Sequence, residues 1–425
     1  MQCRITPSRP WHASHELNAI ILIAMLWYPA AAGAAAEDAG ASMFSVSAFG
    51  TLGVVHSSED NADFTASSEQ PNGAGYSHSW SPDVDSRLGA QATAHFTPQL
   101  SAMLQVISEQ LYDKTFRPHI EWANITYQPT PEFSVRLGRI VLPTFLISDS
   151  RKVGYANPWV RPPVELYSLS PVFDSDGADV DYQMQVGKLV NTLVGTYGNT
   201  RFGTPGGGEL DAKRLWVIAD TVEYGPLTLH IAYQQSSYTF HFLDPLFDAF
   251  RQLGPQGTAL ADKYDLDNKS AQLITAGAMY DPGKWFVTGE WAKRNMHSAI
   301  VESTAWYLSG GYRLAKFTPY MTYAKVKADG NTSDPGLNVS ELPPFLAGPA
   351  NGLNAGLNAT LGMTAVQNTI SVGSRWDFMK NTDLKLQYDH IDLGSGSAGT
   401  LVNVQPGFQP GGTVNLFSIA IDFVW

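Results

Sequence analysis

The chain has 425 residues and 44% hydrophobic content, enough to bury a sizeable core, yet only 16% of residues are charged, against about 25% in ordinary soluble domains. A formal charge of −12, from 39 acidic and 27 basic residues, excludes a duplex-binding protein, which needs clustered Lys and Arg to displace counterions from phosphate. The 38 Gly, 26 Pro, 11 Trp, 18 Tyr and 20 Phe exclude collagen-like and disordered classes and combine turn formers with side chains that favour strands or membrane interfaces.

Residues 1–36 read as a secretory signal peptide. Arg4 and Arg9 precede an apolar run at 19–28, and the small residues Ala34, Ala35 and Ala36 follow it, the charged, hydrophobic, small-residue order of an export signal. The run is too short to be a retained membrane anchor. Cys3, the only cysteine, precedes the run and leaves with it, whereas a lipid-anchored cysteine would follow. The mature chain then has no disulfide, no Cys-ligated zinc and no thiol nucleophile. Loss of Arg4, Arg9 and Glu16 leaves 25 basic and 38 acidic residues, a net charge of −13, on a single expected domain, 37–425.

Beyond residue 36 no apolar stretch approaches the ~18 residues of a membrane helix. A closed β-barrel needs only alternating residues facing lipid, and alternation is present. In 178–187, Val180, Tyr182, Met184 and Val186 alternate with Asp179, Asp181, Gln183 and Gln185. The pattern recurs at 226–234 and 381–389, and in 413–425 the apolar face is Phe417, Ile419, Ile421, Phe423 and Trp425. About sixteen strands are expected: 44–56, 86–97, 99–110, 117–128, 132–140, 177–186, 188–198, 213–224, 227–238, 268–280, 284–296, 303–314, 317–327, 364–379, 383–392 and 413–425.

Tight turns such as Gly187-Lys188, Gly225-Pro226 and Asp281-Pro282-Gly283 alternate with longer polar stretches at 57–85, 111–116, 141–176, 199–212, 239–267, 297–302, 328–363 and 393–412. Short turns on one side and long loops on the other are the asymmetry of an outer-membrane barrel. The fold class expected is therefore all-β, a transmembrane antiparallel β-barrel of about sixteen strands. A soluble sandwich or propeller would have to pack the lipid-like faces together, and no fixed-period repeat supports a propeller.

With its signal peptide, strand count, eight long loops and terminal strand from Asn415 to Trp425, the chain resembles the outer-membrane porins of Gram-negative bacteria. Trp425 stands where such chains commonly end in Phe. The resemblance implies outer-membrane localisation, a homotrimer, recognition of the terminal strand by the barrel assembly machinery, and passive diffusion of small hydrophilic solutes and ions, with no cofactor. It also implies that the third long loop, following Leu137-Gly138-Arg139, folds into the barrel and narrows it. The apolar residues at 141–147 give a physical reason for burial there. The alternatives are a loop that caps the barrel from outside or packs on a neighbouring subunit. The loop does not carry the acidic constriction motif of enterobacterial general porins, which leaves ion preference open.

Charges at a constriction set ion preference. The inward face inferred from alternation carries Arg136, Asp179, Asp181, Glu290, Arg294, Arg375, Asp377, Lys385 and Asp389; Arg139 flanks the third loop, which adds Asp149, Arg151, Lys152, Arg161 and Glu165. Arg136, Arg139 and Arg375 form a candidate basic wall. The alternative is that these charges pair and hold the loop to the wall. Tyr155, Trp159 and Tyr167 are candidates for a sugar track or for loop packing. Trp122, Tyr127, Trp285, Trp291, Tyr320, Tyr323, Trp376 and Trp425 are expected outside, at the membrane interfaces.

Two other classes are weighed. A plugged barrel would act as an adhesin or structural surface protein. A hydrolase would use pairs such as His297-Ser298 or Asp389-His390, but the chain has no G-x-S-x-G elbow and no H-E-x-x-H motif, so no enzyme is expected. Residues 262–268 offer oxygen ligands without the Gly and Glu of a calcium loop and read as a solvated acidic segment. No metal site is expected.

Overall fold

The structure is a computed structural model that describes residues 43–425; the expected 1–36 leader lies outside the described residues. Sixteen long strands follow one another: β1 (Phe44–Ser57), β2 (Arg87–His95), β3 (Leu100–Glu109), β4 (His119–Thr130), β5 (Phe133–Val141), β6 (Asp174–Val186), β7 (Leu189–Thr204), β8 (Gly208–Tyr224), β9 (Leu227–Phe240), β10 (Lys269–Tyr280), β11 (Trp285–Met296), β12 (Ser303–Tyr312), β13 (Phe317–Ala328), β14 (Gln367–Met379), β15 (Thr382–Leu393) and β16 (Thr413–Val424). Each pairs antiparallel with the next, and β16 returns to β1 in a register from Phe49↔Val424 to Ser57↔Leu416. Closure leaves no open sheet edge, so the backbone groups of every strand are satisfied between neighbours.

Side-chain parity builds the two faces. On β6, Val180, Tyr182, Met184 and Val186 are exposed on the outside while Asp179 is buried within. On β16, Phe417 and Ile421 point out, and Ser418, Ala420 and Asp422 are buried inside. The seven tight connections sit on one rim, with the start of β1 and the end of β16. Gly187 and Gly225 occupy positive φ, 63° and 57°, where a side chain would be strained, and this lets Val186 pair with Leu189 and Tyr224 with Leu227 across two-residue turns.

Four expectations change. The stretch 199–212 is not a long loop, because β7 and β8 run on to Thr204 and from Gly208 around a short turn. The outer loops at 239–267 and 328–363 contain helices, α2 (Asp244–Arg251), α3 (Pro255–Tyr264) and α4 (Ala347–Gly362), after a single-turn α1 (Val164–Tyr167) inside the third loop. On α4, Ala350, Leu357 and Leu361 form one buried stripe that joins Phe247 and Phe250 of α2 in an outer core, which explains how an Asn/Gly-rich segment holds a helix. Tyr320 and Trp122 face inward, at 3% and 5% exposure. Tyr320 shares the parity of Thr318 and Thr322, opposite Met321 and Tyr323. At Trp122 the cause is a β-bulge: Gln105 pairs with Trp122 and Val106 with Ile120, so Glu121 is an extra residue and both it and Trp122 turn to the inside.

Candidate functional site

The segment 142–173 lies within the barrel. Its base is closed by the Leu142 amide donating to the Phe173 carbonyl at 2.9 Å. Phe145, Leu146, Ile147, Trp159, Leu166, Tyr167 and Leu169 pack with wall residues Leu273, Phe286, Tyr307 and Tyr320. Burying that apolar set is the driving force for folding the segment inward. Loop apolarity at 141–147 was the sequence signal for it.

Polar anchors then tie the segment around the wall. Thr144 donates to Gln234 at 2.6 Å. The Leu146 amide and the Tyr167 and Tyr307 hydroxyls all donate to Glu290, at 2.8, 2.6 and 2.8 Å. Lys152 bridges Glu109 at 2.6 Å and Glu121 at 2.7 Å. Lys385, fully buried, donates to the Gly154 and Trp159 carbonyls at 2.7 and 3.0 Å and pairs with Asp422 at 2.8 Å. Arg375 donates to the Tyr155 and Asn157 carbonyls at 2.6 and 3.3 Å and pairs with Asp377 and Asp383. A Cβ on Gly154 would fall 2.0 Å from an Asp422 oxygen and 2.7 Å from the Thr51 hydroxyl, so only glycine lets the backbone lie this close to the wall.

Arg161 is a further buried anchor. Its guanidinium grips Asp85 through two bonds of 2.9 and 2.6 Å and reaches Asp389 at 3.3 Å and Ser418 at 2.7 Å. Burial works against its charge, but the two carboxylates outweigh that and hold its pKa above the usual value. The same balance keeps the Lys152 ammonium above its ordinary pKa: burial opposes it, Glu109 and Glu121 prevail. Glu165 is 1% exposed and accepts from Gln367 at 2.7 Å and from Thr369; burial pushes its carboxyl up.

The other sequence-derived candidates divide. Arg136 and Asp179 are cross-strand partners on β5 and β6 and form a buried ion pair, with Asp181 3.8 Å away. Arg139 has the outward parity of Leu137 and pairs with Asp176 at 2.7 Å, partly exposed, so it stands at the outer rim, apart from the lumenal set. Arg151 lies 3.6 Å from the Phe173 ring centroid and 3.8 Å from Glu121. Asp149 is half-buried, and burial raises its carboxyl pKa. Tyr155, Trp159 and Tyr167 are buried packing residues, and the Trp159 indole donates to Ser309 at 2.8 Å. Asp389 and His390 diverge to opposite faces: Asp389 serves Arg161, while His390 sits 2.8 Å from the Asn415 side chain. Asp262 and Asp265 are taken up by Arg251, and Asp265 also by Lys269.

Sequence reasoning missed Glu109, Glu121, Asp85, Asp383 and the anchoring role of Asp422. Asp422 was legible as an inward polar residue; Glu121 was hidden by the bulge, and Asp85 lies in a loop with no periodicity.

Space remains on both sides of the segment. Toward the short-turn rim an open cavity is bordered by Asp149, Asp181, Arg136, Phe145 and Met279. Toward the long-loop rim an opening of about 1210 Å³ is bordered by Leu169, Phe240, Phe242, Arg294 and Met363. Such an arrangement, two vestibules about a charged and polar waist, can filter solutes by size and charge.

Comparison with known proteins gives a consistent answer. A family model described as Gram-negative porin matches residues 19–409. No curated protein sequence matches the chain. Among solved structures, Salmonella typhi OmpF in complex with daunomycin is similar at a TM-score of 0.54 and 11% identity, covering 90% of this chain and 97% of that one. The outer membrane channel DcaP of Acinetobacter baumannii is similar at 0.52 and 11%, with 90% and 97% covered. The anion-selective porin from Comamonas acidovorans is similar at 0.50 and 13%, with 90% and 100% covered.

Proposed function

The chain belongs to the Gram-negative porin family and is an outer-membrane diffusion porin; from that premise we propose that the 142–173 segment is its constriction and that small hydrophilic solutes and ions are what it passes. The observation that carries this is the segment's placement: it crosses the lumen between two vestibules, with charged groups beside both. Asp149 and Asp181 screen solutes on the short-turn side and Arg294 on the long-loop side, while Arg151, over the Phe173 ring and 3.8 Å from Glu121, stands on the segment between them. Lys152, Arg161, Glu165, Glu290, Arg375, Asp377, Lys385 and the Arg136–Asp179 pair shape the opening by fixing the segment to the wall.

Outward residues such as Ile231 and Leu386, exposed on the barrel surface, meet lipid. Family likeness supports a homotrimer and recognition of the terminal strand, ending in the exposed Trp425, by the barrel assembly machinery. The role is one of passage without catalysis; the separation of Asp389 from His390 supports this.

Purified, folded protein in planar bilayers should give discrete KCl conductance steps, and folded protein without conductance would defeat the channel reading. The dense anchoring of the segment favours one rival, a plugged barrel that only displays its outer loops. Liposome swelling with sugars of graded size separates the two: the porin gives a size cutoff, the plug gives no swelling with any sugar. Within the channel reading, Arg151→Ala should move the reversal potential in a salt gradient toward cation preference.

A further inference from the structure

Among the described residues, no carboxylate pairs with Arg294. It projects inward from the upper part of β11, where its Nη atoms donate to the Leu169 carbonyl at 3.2 Å, the Val301 carbonyl at 3.1 Å and the Ser303 hydroxyl at 3.4 Å, and its buried Nε has no hydrogen-bond partner. Every other lumenal arginine described above, Arg136, Arg151, Arg161 and Arg375, lies within 4 Å of an aspartate or glutamate. Arg294 is half-buried with one buried N–H unpaired and no counter-ion among the described residues, which leaves its charge short of compensation, and an arriving anion supplies it.

The surroundings say what kind of anion. Among the described residues, Arg294 is the one charged residue bordering the outer vestibule, whose walls include Leu169, Phe240, Phe242, Leu266, Ile300 and Met363. It also borders an adjoining apolar recess lined by Leu210, Tyr238, Leu273 and Met296. A fully hydrated inorganic anion gains nothing from apolar walls, whereas an organic acid can bury its hydrocarbon part there. Guanidinium geometry suits a carboxylate.

We propose that the outer vestibule is a binding site for organic monocarboxylates with an apolar aromatic or aliphatic body, captured by Arg294 before passage. This rests on the channel reading only in taking the vestibule as the outer entrance. The binding itself is measurable without transport.

The experiment is calorimetric titration of the full-length folded protein in detergent with 3-phenylpropionate, its neutral amide, and acetate. The acid is expected to bind at least tenfold more tightly than either the amide or acetate, and Arg294→Gln to lose at least tenfold. Ile300→Glu, which sets a carboxylate in the vestibule wall on a loop, is expected to weaken the acid likewise and serves if the arginine variant does not fold. Equal affinity for acid and amide, or undiminished affinity in a folded Arg294→Gln, would overturn the proposal. KCl conductance of the wild-type protein is recorded in parallel: conductance without acid binding defeats this site alone, and acid binding without conductance defeats the channel reading alone.

Discussion

Glu165 and Glu290 are buried carboxylates held by hydrogen-bond donors, with no cation in the pairings described. For Glu165, on the single-turn α1, burial raises the folded pKa above the unfolded value. The folded state therefore takes up a proton that the unfolded chain gives away, and the side chain's contribution to stability falls as pH rises from the ordinary carboxylate range through the raised value. Glu165→Gln removes the charge and keeps an acceptor, so it should raise the temperature of heat-modifiable unfolding at pH 8 and change it less at pH 4.5. An equal change at both pH values would show that the ionised form is not penalised.

At the scale of the element, the 142–173 segment is a loop by sequence and a core component by packing. Its apolar residues provide most of the driving force, and its charges provide position. Arg161→Ala would leave Asp85 and Asp389, at 1% and 3% exposure, buried without their cation, at a cost of about 3–5 kcal/mol. With all sixteen strands intact, the loss should fall on the segment's attachment. The expected outcome is a folded barrel with larger or noisier single-channel conductance. A variant with wild-type conductance and noise would mean that the Lys385, Arg375 and Lys152 anchors suffice alone.

At the scale of the whole molecule, stability comes from closure in lipid, because the outer face has no protein to pack against. Ile231 stands on β9 with the outward parity of Leu229, 55% exposed. Ile231→Arg on a lipid-facing position should cost up to about 2–4 kcal/mol in reversible folding into lipid vesicles. Arginine at a soluble protein's surface position would cost almost nothing, so a negligible change would contradict the lipid-facing assignment.

Much of this molecule was legible in one dimension. A strand's period of two is local, so Val180, Tyr182 and Met184 against Asp179 and Asp181 declared both faces of β6 without any knowledge of neighbours. Turn chemistry at Gly187 and Gly225 is equally local, and it set the hairpins and the strand count. Sixteen alternating strands joined by unequal loops leave closure as the way to satisfy every edge in lipid. Where parity was broken by a bulge, as at Trp122, or where helices formed on the outer side of the barrel by packing on one another, local reading failed. The partners of the 142–173 segment were decided only by the closed tertiary structure, since Arg161 meets Asp85 and Asp389 across separations of 76 and 228 residues. Long-range ion pairs leave no periodic trace in the chain. So the sequence by itself determined that there would be a barrel and which side faced water; only the folded barrel decided which charges neutralise one another and that, among the described residues, no carboxylate meets Arg294.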